Sequence, residues 1–438
     1  MKFLLHFLIL FSFSSIAQKV SVEEGFLEDF EILKTSILDN HPLMDVYITK
    51  KEFEILCAEE KANIEANPNY SQFYFSLSKL TASLKCGHTY VNISESYKNE
   101  LFKNGKLPFK IKIIADQIFV VKVLDEKYKS LLGKEIIGFS GLNFGQLYGQ
   151  TNVGISRDGN NQAYAFWKME EKLDLYLKLM LQNPDKIKVE TTEEVIEVPF
   201  LLMPEQKIVE SEIEFKFLDK KRKTAYLKIP HFDDGKSKIK SALKAVDNDS
   251  CQNLIIDLRN NYGGNGNIAS FLISHFIDSS FVIDFEKKNN KIFYKKHFGG
   301  QQGLLISNKV SQKNEETAVY SFPVKAAKKL NKKLFVLVNS GTFSAAAYAA
   351  SVLKYKCNAE IIGSQSGGNE FGIGGGIISR ITLPNSGFTV KFPQYRWVFN
   401  TVKNDRAKGI IPHISIEYFL EDYLNDIDKE IEYLKNIF

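Results

Sequence analysis

The chain has 438 residues, 44% hydrophobic and 13% aromatic, with 57 Lys and Arg against 52 Asp and Glu for a formal charge of +5. That much apolar material can bury a large core, which excludes bulk disorder, and the length suggests about three domains. The near balance of charge excludes a strongly acidic partner and gives no reason to expect nucleic-acid binding.

Lys2, an apolar run from Phe3 to Phe13 and the small residues Ser15-Ile16-Ala17 open the chain. The run is short for a bilayer crossing. Residues 1–17 are therefore expected to be a cleavable secretory signal with Gln18 as the mature N-terminus, an uncleaved anchor being the alternative. Export to the periplasm or the extracellular space follows, with no membrane span after cleavage. Cys57, Cys86, Cys251 and Cys357 are scattered without a CxxC pair, so no zinc or thioredoxin-like motif is supported and any disulfide pairing stays open.

Residues 18–104 read as a helical region. Phe26, Phe30, Leu33 and Ile37 share one helical face, and Asn40-His41-Pro42 ends that helix. A second helix follows Pro68, with Phe73, Leu77, Leu80 and Leu84 on one face and Gly87 where a helix stop favours glycine. His88 then leads into the strand-like Thr89–Ile93.

Residues 105–210 change to short strands, at Phe109–Ile113, Ile118–Val121 and Gly133–Gly141, then a helix near Ala163–Gln182 and a strand near Ile187–Val198. Residues 211–438 read as α/β. Ala225–Ile229, Leu254–Leu258, Leu334–Val338 and Ile361–Gly363 are strands, and two of them run through a polar turn into a helix. Repeats of that kind suggest largely parallel, buried strands. Leu420, Leu424, Ile427, Ile431, Leu434 and Phe438 predict one closing C-terminal helix.

Two turns carry the chemistry. Val338-Asn339-Ser340-Gly341-Thr342-Phe343-Ser344 ends an apolar strand, and Ser344 opens a helix of small residues. Free N–H groups and the dipole at a helix start favour negative charge, so the N–H of Ala345 could face an oxyanion. Taken alone, Ser344 reads first as an ordinary capping serine. Asp257-Leu258-Arg259-Asn260-Asn261-Tyr262-Gly263-Gly264 leaves a second buried strand, and the N–H of Gly263 or Gly264 could supply a second donor. A tight turn is the bland reading, and no phosphate-loop pattern is present.

Together these segments resemble the tail-specific, or C-terminal-processing, serine peptidase superfamily, which includes the tricorn core protease. The nucleophile motif is similar to Asn339–Ala346, the strand-plus-glycine signature to Asp257–Gly264, and a downstream glycine segment to Gly363–Gly368. Leu80–Thr89 resembles the histidine motif of the tricorn-like branch, and the region around Gly133–Gly141 resembles the PDZ-like insertion. The resemblance implies a crotonase/ClpP-like α/β catalytic domain over 211–438, a PDZ-like module over 105–210 and the helical region carrying His88. One branch uses a lysine base just after the glycine segment, where this chain has Asn369, a neutral amide that cannot accept a proton. The other branch uses an upstream histidine, matching His88, whose imidazole suits general-base work.

The resemblance further implies a third group near the end of the chain, for which Asp405 is the nearest acid. His413 stands where an aspartate is expected, and Ala347 where a glutamate is common. His41, His231, His275, His297 and His413 show no metal-ligand spacing, so no metal and no cofactor are expected. The expected function is an exported serine endopeptidase acting on unfolded or C-terminally exposed polypeptides through Ser344 and His88. A catalytically impaired relative that binds peptides or small ligands is the alternative.

Overall fold

Leu254-Ile255-Ile256 leaves no polar face, so its strand needs cover on both sides. Such cover exists in the computed structural model, which describes residues 21–202, 212–248, 251–288, 310–314, 317–401 and 408–438. Strand Asn253–Asp257 lies between the parallel strands Thr224–Lys228 and Lys333–Val338. Glu360–Gly363 and Ile414–Ser415 extend the sheet in parallel, and Glu214–Phe217 closes it antiparallel. Leu254, Ile256, Val336 and Val338 pack with residues of helices Lys236–Asn248, Gly266–Ser274 and Ala345–Cys357. Ile255, Phe335 and Leu337 pack on the other side with Leu434 of helix Lys429–Ile437.

A second sheet runs in the order Tyr90–Asn92, Thr389–Val398, Phe281–Lys288, Thr317–Val324, Val310–Asn314, with Gly372–Thr382 also paired to Thr389–Val398. The middle region forms a third, antiparallel sheet from Phe109–Ile114, Gln117–Val123, Glu135–Phe139, Lys186–Thr191 and Val195–Pro199, with Leu142–Asn143 beside it. One apolar core joins the N-terminal helices, this middle sheet, helix Gln162–Met180 and the hairpin residues Ile381, Leu383, Phe388 and Phe392. His88 thus sits on a segment fixed at both ends. Helix Tyr70–Ser83 precedes it, and Tyr90 pairs with Lys391 of the distant strand.

Several local expectations are corrected. Helix Lys50–Ala66 was not expected; its start is a reciprocal cap between Thr49 and Glu52, a pattern present in the sequence. The stretch Ile187–Val198 is a hairpin rather than one strand, with Thr191 Oγ1 accepting from the N–H groups of Glu193 and Glu194 in its turn. The single C-terminal helix is two, Leu420–Leu424 and Lys429–Ile437, because Asp426 takes a left-handed φ of 51° and Asp428 caps a new start. Lys85, not Gly87, adopts the left-handed conformation after helix Tyr70–Ser83. The proposed signal segment 1–17 lies outside the described residues.

Candidate active site

Ser344 does not cap its helix in the ordinary way. Its backbone sits at φ 53° and ψ −123°, sparsely populated for a residue with a Cβ, and its side chain makes no capping hydrogen bond. Oγ instead meets His88 Nε2 at 3.0 Å. Ala345 to Leu353 behind it are all buried, so the helix start is held rigidly by packing. Ala347, where the resemblance makes a glutamate common, is fully buried against Gly368, whose missing side chain would meet the Ala347 Cβ at 2.5 Å. A larger side chain at 347 would have to find room in a fully buried position beside that turn.

The glycine turn lies against the serine. A Cβ on Gly263 would stand 2.5 Å from Ser344 Cβ and 2.7 Å from the Ala345 nitrogen, and its φ of 105° suits glycine alone. Asparagine side chains lock the two turns together. Asn339 Oδ1 accepts from Asn260 N–H at 2.8 Å, Asn260 Oδ1 accepts from Asn339 Nδ2 at 3.0 Å, and Phe343 N–H donates to the Asn261 carbonyl at 2.9 Å. The Gly263 N–H is committed to Asn261 Oδ1 at 2.8 Å. The N–H groups of Ala345 and Gly264 have no acceptor among the described residues, and Gly264 is exposed. Ala345 directly follows Ser344, and Gly264 follows the Gly263 that packs on it.

His88 is half-buried and stacks on Phe343, with ring centroids 4.7 Å apart. A Cβ on Gly87 would strike that Phe343 ring at 2.6 Å, which is why glycine precedes the histidine. Burial lowers the imidazole pKa to about 4, so the ring is neutral near pH 7. Its Nδ1 is buried without a partner.

Sequence reasoning missed Asp158, which the fold brings to this point from the loop before helix Gln162–Met180. It is 3% exposed; Oδ1 accepts from Gly87 N–H at 2.8 Å, the Asn369 backbone N–H is a further donor to the carboxylate, and Oδ2 is buried without a partner. Burial raises its pKa to about 7, against those two hydrogen bonds. The ligand-type atoms of Cys86, His88 and Asp158 all lie within 4.8 Å of one another. The Cys86 thiol is pushed up to about 12 by burial and stays protonated, a poor donor for a metal.

Asp405 lies outside the described residues. His413 holds strands together, accepting from Ile361 N–H at Nδ1 (3.0 Å) while its own N–H reaches the Ile361 carbonyl at 2.8 Å. Lys354 donates to the Ile411 carbonyl at 2.9 Å, and Lys356 lies over the Phe281 ring at 4.9 Å, so each is engaged elsewhere.

A strained serine on a strand–turn–helix, a neutral imidazole at its Oγ and free N–H donors beside it define a site of the serine-peptidase class. Residues 223–416 match the model of peptidase family S41. A probable CtpA-like serine protease of Staphylococcus epidermidis is 28% identical over 200 residues, 45% of this chain and 34% of that protein. A relative with the same description from Staphylococcus haemolyticus is 25% identical over 216 residues, 48% of this chain and 37% of its own. The chain thus spans about a third of the length of these curated relatives. Among solved structures, mature CPAF complexed with lactacystin superposes at a TM-score of 0.67 with 14% identity, covering 95% of this chain and 98% of that one. A putative peptidase from Parabacteroides merdae gives 0.51 and 15%, covering 94% and 96%. At these identities the structures share the fold.

Proposed function

We propose that this chain is an exported serine endopeptidase that hydrolyses unfolded or C-terminally exposed polypeptides by a Ser–His mechanism. The carrying observation is the 3.0 Å contact between His88 Nε2 and Ser344 Oγ, made between residues 256 positions apart. Ser344 Oγ attacks the scissile carbonyl carbon while His88 Nε2 takes its proton. The oxyanion turns toward the N–H groups of Ala345 and Gly264. Collapse breaks the C–N bond, His88 returns the proton to the leaving amine, and water, deprotonated by the same imidazole, releases the acyl group. The catalytic domain is read as crotonase/ClpP-like. The middle antiparallel sheet is read as a PDZ-like module that offers an edge strand to a peptide. The periplasm or extracellular space is the compartment.

The test is covalent labelling with a fluorophosphonate. Ser344 is the only serine expected to react, and Ser344→Ala abolishes the adduct. Equal labelling of that variant and the wild type would rule the assignment out and turn attention to Ser340, whereas a wild type that is not labelled at all would favour a ligand-binding relative of the family.

A further inference from the structure

We propose that Asp158 is the group that positions His88, accepting a hydrogen bond from its Nδ1–H directly or through one water. This rests on the Ser–His reading above and gives that site its third member.

The argument starts from two orphans. His88 Nδ1 and Asp158 Oδ2 are both buried without a partner, and the two residues lie within 4.8 Å at their ligand-type atoms. A buried polar atom left unsatisfied is costly, so two on residues this close can satisfy each other when a small rotation or a water closes the gap. Oδ1 is already fixed by Gly87 N–H, one residue from the histidine, which aims the carboxylate at the ring. The loop is itself anchored to the serine side, because Asn161 Nδ2 donates to the carbonyls of Ser366 (2.6 Å) and Gly367 (3.1 Å).

The chemistry needs this group. An imidazole whose charge is disfavoured by burial stabilises the imidazolium formed during attack poorly unless a counter-charge sits behind it. A carboxylate at Nδ1 also fixes the tautomer, leaving Nε2 unprotonated toward Ser344. Other groups around Asp158 do not compete for this role. Cys86 and Tyr164 stay protonated, and Arg157 is engaged by Asn152 Oδ1 at 2.5 Å. Lys85, Tyr47 and Arg396 line one small cavity together with Asp158, and Arg396 is paired to Glu286 at 3.2 Å.

Asp158→Asn separates positioning from mere structure. The amide oxygen still accepts from Gly87 and Asn369, but the amide nitrogen can only donate to Nδ1. That forces the proton onto Nε2, the wrong tautomer for a base. The expected result with a fluorogenic peptide is a fall in kcat of about 10²- to 10⁴-fold with KM changed less than about twofold. The wild-type rate should fall as pH drops through about 7, where the carboxyl takes up a proton, and the variant should lack that step. Unchanged kcat and pH profile in Asp158→Asn would overturn the proposal. Nitrogen-15 NMR of wild-type His88 needs no variant: the Nδ1–H tautomer supports it and the Nε2–H tautomer sinks it. If Ser344→Ala or His88→Ala also keeps full activity, the Ser–His reading falls first and takes this one with it. If both lose activity while Asp158→Asn does not, only the role of Asp158 falls.

Discussion

The two turns that flank Ser344 and the loop that carries Asp158 meet at one site but are built on opposite plans. Each turn continues a buried parallel strand, so the sheet register, Ile256 beside Val336 and Asp257 beside Leu337, delivers the glycine turn and the serine turn side by side. The loop Ile155–Asn161 has no strand to aim it. Beyond Ile155, which packs in the core, it is held by hydrogen bonds to partners elsewhere in the chain: Asp158 to Gly87 and Asn369, Gly159 to the Lys85 carbonyl, and Asn161 to Ser366 and Gly367. Sheet-delivered groups are placed by many shared contacts, whereas loop-delivered groups depend on a few polar ones.

The largest expected effect tests the chemistry that both plans serve. His88→Ala should lower the hydrolysis rate by about 10³-fold or more with little change in thermal stability. Retained activity would send the search for the base elsewhere. The imidazole also predicts a stability trend. Its native pKa of about 4 lies below its ordinary 6.5, so the native state favours the neutral ring. This contribution is full above about pH 6.5 and is lost as pH falls toward 4. Urea midpoints of the wild type should fall over that window by more than those of His88→Ala.

Next in size is the anchor beneath the glycine turn. Arg259 bonds Asp257 (2.7 Å), Asp428 (2.8 Å) and Glu430 (3.0 Å), with Asp257 and Glu430 almost fully buried. Arg259→Ala leaves those carboxylates without their cation and should cost about 3–5 kcal/mol of unfolding free energy. A loss under about 1 kcal/mol in denaturant titration would show that the turn does not lean on the C-terminal helix. Gly263→Ala should cost less, about 1–3 kcal/mol, since it forces a Cβ onto Ser344 at a left-handed φ. Its activity should fall by more than its stability suggests, because the clash is with the serine itself.

The same contrast explains what could be read from the sequence. Strands such as Leu254–Asp257 and Lys333–Val338 are legible because burial on both faces writes an unbroken apolar run, and the turns after them carry Gly, Asn and Ser for local reasons. Ser344 and His88 stood out because their neighbours matched a family pattern. Asp158 did not, because Ser156-Arg157-Asp158-Gly159 reads as an ordinary polar loop, and only tertiary structure shows it buried beside Gly87. Helix Lys50–Ala66 was missed although Thr49 and Glu52 signalled its start, since its buried face is narrow, at Phe53, Cys57, Glu60 and Ile64. Its buried Glu60, paired with Lys79 at 2.6 Å, blurs the apolar period further.

The smallest expected effect is the one that most directly separates the two plans. Asn161 is 1% exposed and gives both amide hydrogens to carbonyls of the glycine segment, while its Oδ1 caps helix Gln162–Met180 through Tyr164 N–H at 3.0 Å. Asn161→Asp keeps the cap but removes both donated bonds and sets a carboxylate against two carbonyls. Asn161→Ser keeps a shorter cap and removes only the bridge, for about 1–2 kcal/mol. If the loop relies on these bonds to hold Asp158, Asn161→Ser should lower kcat by about tenfold with labelling of Ser344 still detectable, and Asn161→Asp should lower it further. The serine and glycine turns, fixed by the sheet, would be untouched, so the two variants should share the wild-type KM. A rise in KM with unchanged kcat would instead mean that the bridge shapes the substrate cleft, and the loop would then belong to binding rather than to placing the histidine.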